Sequence, residues 1–104
     1  MMIKNIATVG VYVEDQDKAL EFWTEKFGFQ VNRDQDMGNG SRWLEVCPQG
    51  AESCLVIYPK SLMKNWAELK PSIVFECENI EALCDELHEK GVMFKLYFLV
   101  KEKR

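Results

Sequence analysis

Few side chains in this 104-residue sequence are able to do chemistry, and their spacing says as much as their identity. Cys47, Cys54, Cys77 and Cys84 form two pairs with six residues between the members of each. That spacing matches no zinc-finger arrangement, and His88 is the single imidazole available to help. In a reducing compartment the four cysteines are expected as free thiols, packed as small hydrophobes. Cys47 and Cys54 flank one turn, so a disulfide between them is sterically open. His88 falls beside, not within, an apolar helical stripe, where it reads as a surface residue whose partial charge suits the helix end. No glycine-rich phosphate loop, nucleophile elbow or Cys–His pairing stands out. The remaining polar and aromatic candidates, Thr8, Tyr12, Trp43, Glu45, Ser72 and Glu76, offer hydroxyls, rings and carboxylates.

These residues need elements to position them. Residues 3–13 alternate Val9, Val11 and Val13 and predict a strand. Asp15 is a natural N-cap for a helix over 16–27, whose Ala19, Leu20, Trp23 and Phe27 share one face before Gly28 stops it. Strands follow near 29–33, at 42–47 and at 53–58, separated by the turns around Asp36–Ser41 and Pro48–Glu52. Pro59 and Pro71 bracket a connector whose Leu62, Met63, Trp66 and Leu69 predict a short amphipathic helix capped by Ser61. The pattern then restarts: strand 72–77, Asn79 as N-cap, helix 80–90 with Ile80, Leu83, Cys84 and Leu87 inward, Gly91 as stop, and strand 92–99. The interval from Asp15 to Asn79 matches that from Gly28 to Gly91 to within a single residue, which marks an internal repeat of a β-α-β-β-β unit. The expected organisation is one domain over 1–104: module one at 3–59, connector 60–71, and a partial βαβ module two at 72–104.

Strand parity divides the residues between two faces. With Val9, Val11 and Val13 against the helices, Thr8, Gly10 and Tyr12 face a concave cup. In module two, Ile73, Phe75 and Cys77 on the helix side leave Ser72, Val74 and Glu76 for the cup. On the third strand, Leu44 and Val46 as core turn Trp43 and Glu45 into it. Such a cup suits a small, partly aromatic or cationic ligand. Each residue also has a plainer role: Trp43 as packing, Glu45 and Glu76 on a solvated sheet face, Thr8 and Ser72 as ordinary strand residues.

The bulk composition agrees with a folded domain. The chain is 47% hydrophobic and 29% charged. That is enough apolar material for a core. A net charge of −4 argues against nucleic acid or an anionic membrane as partner. Lys101, Lys103 and Arg104 read as a short solvated tail. Neither a signal-peptide h-region nor a membrane-spanning apolar run is apparent, so the expected location is cytoplasmic.

The run from Val11 to Phe29 (Val-Tyr-Val-Glu-Asp-Gln-Asp-Lys-Ala-Leu-Glu-Phe-Trp-Thr-Glu-Lys-Phe-Gly-Phe) resembles the opening strand and helix of the vicinal oxygen chelate superfamily, which contains glyoxalases, bleomycin resistance proteins and dioxygenases. Met37-Gly-Asn-Gly-Ser-Arg-Trp-Leu-Glu-Val resembles the third strand of its bleomycin-resistance-like branch, and the run from Ile73 to Val92 resembles the start of a second module. The resemblance implies an α+β fold of paired βαβββ modules around a cup, here with the second module incomplete. In the enzymes of the superfamily, a His on a module's first strand and a Glu on its last hold a divalent metal. Thr8 and Ser72 occupy the first-strand positions, Ser53 to Tyr58 carry no carboxylate, and module two is much shorter than module one. Hydroxyls are poor ligands for such metals, so no metal and no cofactor is expected.

The resulting expectation is a metal-independent small-molecule binder of the bleomycin-resistance type, leaning away from catalysis. The alternatives are a metal-dependent lyase or dioxygenase of the same superfamily, and a truncated, intact but inactive member. An incomplete module leaves strand edges open, which implies a homodimer with exchanged elements and 96–100 as its edge segment.

Overall fold

A computed structural model describes residues 2–71 and 73–93, together with the backbone of 100–102. The chain divides into two compact units, Met1–Pro71 and Ser72–Arg104.

The first unit is a four-stranded sheet covered on one face by a helix. β1 (Thr8–Val13), β2 (Gln30–Gly38), β3 (Ser41–Cys47) and β4 (Cys54–Pro59) lie in the order β1-β4-β3-β2. β2, β3 and β4 form an antiparallel meander, whereas β1 runs parallel to β4 with Tyr12 opposite Tyr58 and Gly10 opposite Val56. Leu44, Val46 and Ile57 are fully buried, with Leu55 beside them. They alternate along their strands with residues of the opposite face, as the two-residue repeat of a strand requires.

α1 (Gln16–Glu21) starts at Asp15, whose carboxylate accepts from the Lys18 amide at 3.0 Å. The expected helix over 16–27 does not stay α-helical: Phe22–Lys26 widen into a π-helical turn. Phe29 N–H then closes on the Trp23 carbonyl at 3.0 Å, while Gly28 takes the left-handed conformation at φ 69°. The wider turn accommodates an aromatic cluster. In it, the Trp23 ring centre lies 4.8 Å from that of Phe27. The Phe29 ring centre lies 5.3 Å from that of Trp23. β2 is longer than the expected 29–33 and is exposed throughout. Its Arg33, Asp34 and Asp36 suit an outer strand, where charge discourages pairing with other chains.

Three further expectations are corrected. Cys47 and Cys54 are joined by a disulfide and are not free thiols. Continued by one pair beyond Val46–Leu55, the β3–β4 register brings them opposite each other, with Cα atoms 4.3 Å apart. That is the narrow kind of cross-strand position that a disulfide can bridge. The connector forms two 3₁₀ turns, Lys60–Leu62 and Trp66–Glu68, and not one helix. Ser61 lies inside the first turn and caps nothing, because Met63 adopts extended backbone (φ −129°, ψ 103°) and breaks the helical path.

The second unit contains β5 (Phe75–Cys77), α2 (Ile80–Glu89) and β6 (Val100–Glu102), with β5 and β6 parallel. Asn79 caps α2 by accepting from the Ala82 amide at 3.0 Å. At its end, Gly91 N–H bonds the His88 carbonyl and Val92 N–H the Leu87 carbonyl, at 3.0 and 2.9 Å. Leu87 and Val92 are both buried, as the apolar contact of such a cap requires. This closure commits the Val92 amide to the cap, which is why the strand expected from residue 92 does not begin there. Residues 94–99, with most of the expected edge segment, lie outside the described residues. Lys101 and Glu102, expected in a solvated tail, belong to β6, where Lys101 stands in register with Glu76.

Candidate functional site

The sheet face of the first unit turned away from α1 carries the candidate site. Parity places Thr8, Gly10 and Tyr12 of β1, Val56 and Tyr58 of β4, and Trp43 and Glu45 of β3 on it. Gly10, Tyr12, Trp43, Val56, Tyr58 and Met63 line a concavity of about 260 Å³. Its walls are aromatic: Tyr58 stands edge-on to Tyr12 at 6.3 Å and to Trp43 at 6.2 Å between ring centres. The extended Met63 contributes a soft apolar side chain to the lining. Gly10 is what allows Tyr12 to fold over the strand. A Cβ there would stand 3.2 Å from the Tyr12 hydroxyl, tighter than ordinary van der Waals contact.

Glu45 lies beside this concavity, 8% exposed. Trp43 Nε1 donates to its Oε2, and Asn32 Nδ2 donates to Oε1 at 2.7 Å. The Trp43 N–H holds the carboxyl below its ordinary range; burial opposes this, and the Asn32 amide and the Arg33 charge reinforce it. Glu45 is thus a carboxylate used to fix an indole. Asn32 reaches it from a bulge in β2, where the register to β3 shifts between Val31 and Arg33 and an extra residue is re-aimed.

The edge of the site is braced from α1. The Gln16 amide donates to the carbonyls of Arg42 and Ile57, at 2.7 and 2.8 Å, and its oxygen accepts from the Arg42 amide at 3.1 Å. Arg42 in turn donates to Asp17 and Asp34, and the Asp17 hydrogen bond is the main cause of its raised pKa. Trp43 is therefore flanked by a clamped residue on one side and by its own acceptor on the other.

Of the residues singled out in the sequence, Gly10, Tyr12 and Trp43 line the concavity, and Glu45 supports Trp43. Thr8 is half-buried at the far end of β1, opposite Cys54. Val74 and Glu76 belong to the second unit and are exposed, while Ser72 lies outside the described residues. Sequence reasoning did not assign Val56, Tyr58, Met63 or Asn32 to the site. Tyr58 was within reach of the same parity rule, being two residues beyond Val56 on a strand paired to β1. Asn32 was not, because a bulge has no period to read.

Thr8 beside a disulfide-bonded Cys54, together with a β4 strand of Leu55, Val56, Ile57 and Tyr58, is not a donor set for a divalent metal. Among the described residues, no group of three or more His, Cys, Asp or Glu side chains is placed to hold an ion. Also among them, no helix is long and apolar enough to cross a membrane.

Comparison with known proteins bears on the fold and the site together. The family described as the Glyoxalase/Bleomycin resistance protein/Dioxygenase superfamily matches residues 5–96. The uncharacterized protein YetH of Bacillus subtilis (strain 168) is 56% identical over 93 residues, covering 89% of this chain and 78% of its own. Among solved structures, TnmS3, an antibiotic binding protein from Streptomyces sp. CB03234, is 33% identical with a TM-score of 0.73, over 89% of this chain and 75% of its own. A superfamily member from Sphaerobacter thermophilus DSM 20745 superposes with a TM-score of 0.81 at 26% identity, covering 91% of this chain and 78% of its own.

Proposed function

This chain belongs to the glyoxalase/bleomycin resistance protein/dioxygenase superfamily, and from that premise we propose that it binds a small molecule with a flat aromatic part, without a metal and without transforming it. The observation that carries this reading is the concavity walled by Tyr12, Trp43 and Tyr58, with Trp43 locked by Glu45. Ring faces held in fixed orientation recognise flat ligands at little entropic cost, because the protein side is already ordered. A charged, buried carboxylate committed to an indole N–H is a device for orientation, since its other oxygen is occupied by Asn32. The donors around Thr8 and β4 do not fit a divalent metal, so no reaction step is assigned to one. TnmS3, one third identical to this chain, is an antibiotic binding protein, which supports binding as the activity.

Isothermal titration of the full chain in excess chelator with a panel of flat aromatic compounds tests the proposal. Saturable binding that Trp43→Ala or Tyr58→Ala abolishes is the expected result. Binding or turnover that appears only on adding a divalent metal overturns it in favour of a metal-dependent enzyme.

A further inference from the structure

A second depression in the first unit shares Tyr12 with the aromatic concavity. It has a volume of about 420 Å³, and Lys60, Trp66, Leu69 and Lys70 line it with Tyr12. Its charge runs against that of the chain. The protein carries −4 overall, yet this depression has two lysines and no carboxylate among its lining residues.

One of the two ammonium groups is already positioned. Lys60 Nζ stands 4.1 Å from the centre of the Trp66 ring. A cation–π contact of this kind holds the ammonium in place without neutralising it. Glu14 approaches Lys60 at 3.7 Å, but its side chain is 85% exposed. Such a pair is screened by solvent and readily exchanged for a better-placed anion. Lys70 is exposed and adds a second, adaptable charge. By contrast, the acid beside the aromatic concavity, Glu45, is occupied by Trp43 and Asn32. Of the two neighbouring depressions, one presents ring faces and the other presents cations, and only one tyrosine ring is common to both.

We propose that the depression at Lys60, Trp66 and Lys70 takes the acidic group of the same ligand whose aromatic part lies between Tyr12, Trp43 and Tyr58, so that the ligand class is an aromatic acid. The proposal rests on the aromatic-binding reading above and adds the charge of the ligand to it.

Calorimetric titration of the full chain with 2-naphthoate and with its uncharged analogue 2-naphthamide separates the two. Naphthoate is expected to bind at least about tenfold more tightly, a difference of about 1.4 kcal/mol. Lys60→Gln combined with Lys70→Gln should erase that preference, Lys60→Arg should retain it, and Trp43→Ala should weaken both probes alike. Lys60→Arg also controls for folding, since it keeps the charge and the contact with the ring. Equal binding of the two probes, or a preference that survives loss of both lysines, overturns the acid subsite and leaves the aromatic pocket standing. Failure of both probes to bind at millimolar concentration overturns the pocket and the subsite together.

Discussion

Trp43 Nε1 donates to the carboxylate of Glu45, two residues along the same strand and on the same face of the sheet. A strand repeats every two residues, so its backbone alone sets these side chains side by side. The acid then fixes the plane of the ring.

Replacing Glu45 by Ala leaves the Trp43 N–H and the Asn32 amide without their acceptor in a site that is only 8% exposed. A loss of about 1–3 kcal/mol in urea unfolding is expected. Glu45→Gln keeps one acceptor and should lose less. An alanine variant as stable as the parent would show that the hydrogen bonds are not made in solution.

The same carboxyl sets a pH dependence. It titrates below its ordinary value of 4.5 in the folded protein, so the unfolded chain binds more protons around that pH. The stability that it contributes is present above the unfolded value and is lost as pH falls through the folded one. The gap in unfolding free energy between the parent and Glu45→Gln should therefore shrink on acidification from neutral pH. A gap that stays constant into strong acid counts against a charged Glu45.

Gly10→Ala places a methyl group 3.2 Å from the Tyr12 hydroxyl. In a strand, alanine recovers roughly 0.5–1 kcal/mol of backbone entropy, which offsets much of the crowding. Stability is expected to change little, whereas aromatic ligands should bind more weakly because Tyr12 must tip away from the wall. Unchanged affinity would remove Tyr12 from the binding surface.

Reduction should loosen the β3–β4 hairpin at its turn end. Cys47 and Cys54 close a short loop. Cross-linking such a loop contributes about 2–3 kcal/mol. The midpoint of urea unfolding is expected to fall on adding reductant, and not in Cys47→Ala/Cys54→Ala. In the parent, these two cysteines should resist alkylation until reductant is present. Labelling of both without reductant would refute the bond.

Much of this architecture could be read from residue order alone. Asp15 and Asn79 announce two helix starts, Gly28 and Gly91 two ends, and the alternation of β1 puts Gly10 and Tyr12 on one face, because caps and parity are local rules. What escaped depends on distance. The disulfide follows from the register of β3 on β4, whose continuation past Val46–Leu55 brings Cys47 opposite Cys54; the spacing of the cysteines leaves that open. The role of Asn32 depends on a bulge, and that of Met63 on an extended residue between two short turns. The position of Lys60 is set by the Trp66 ring beside it, six residues on and past a break in the helical path, which no local rule reads.

The parallel pairing of β1 with β4 also predicts an order of assembly. Thr8 meets Cys54 only after the chain has passed through a helix and two other strands, while β2, β3 and β4 meet through short turns. Loop-closure entropy favours the near contacts, so the meander is expected to zip first and β1 to dock onto it late. Gly10 and Tyr12 arrive with that last strand. Until it docks, Trp43 and Tyr58 form an open wall without Tyr12, so under the proposed function the appearance of ligand affinity during refolding would be a clock for that docking.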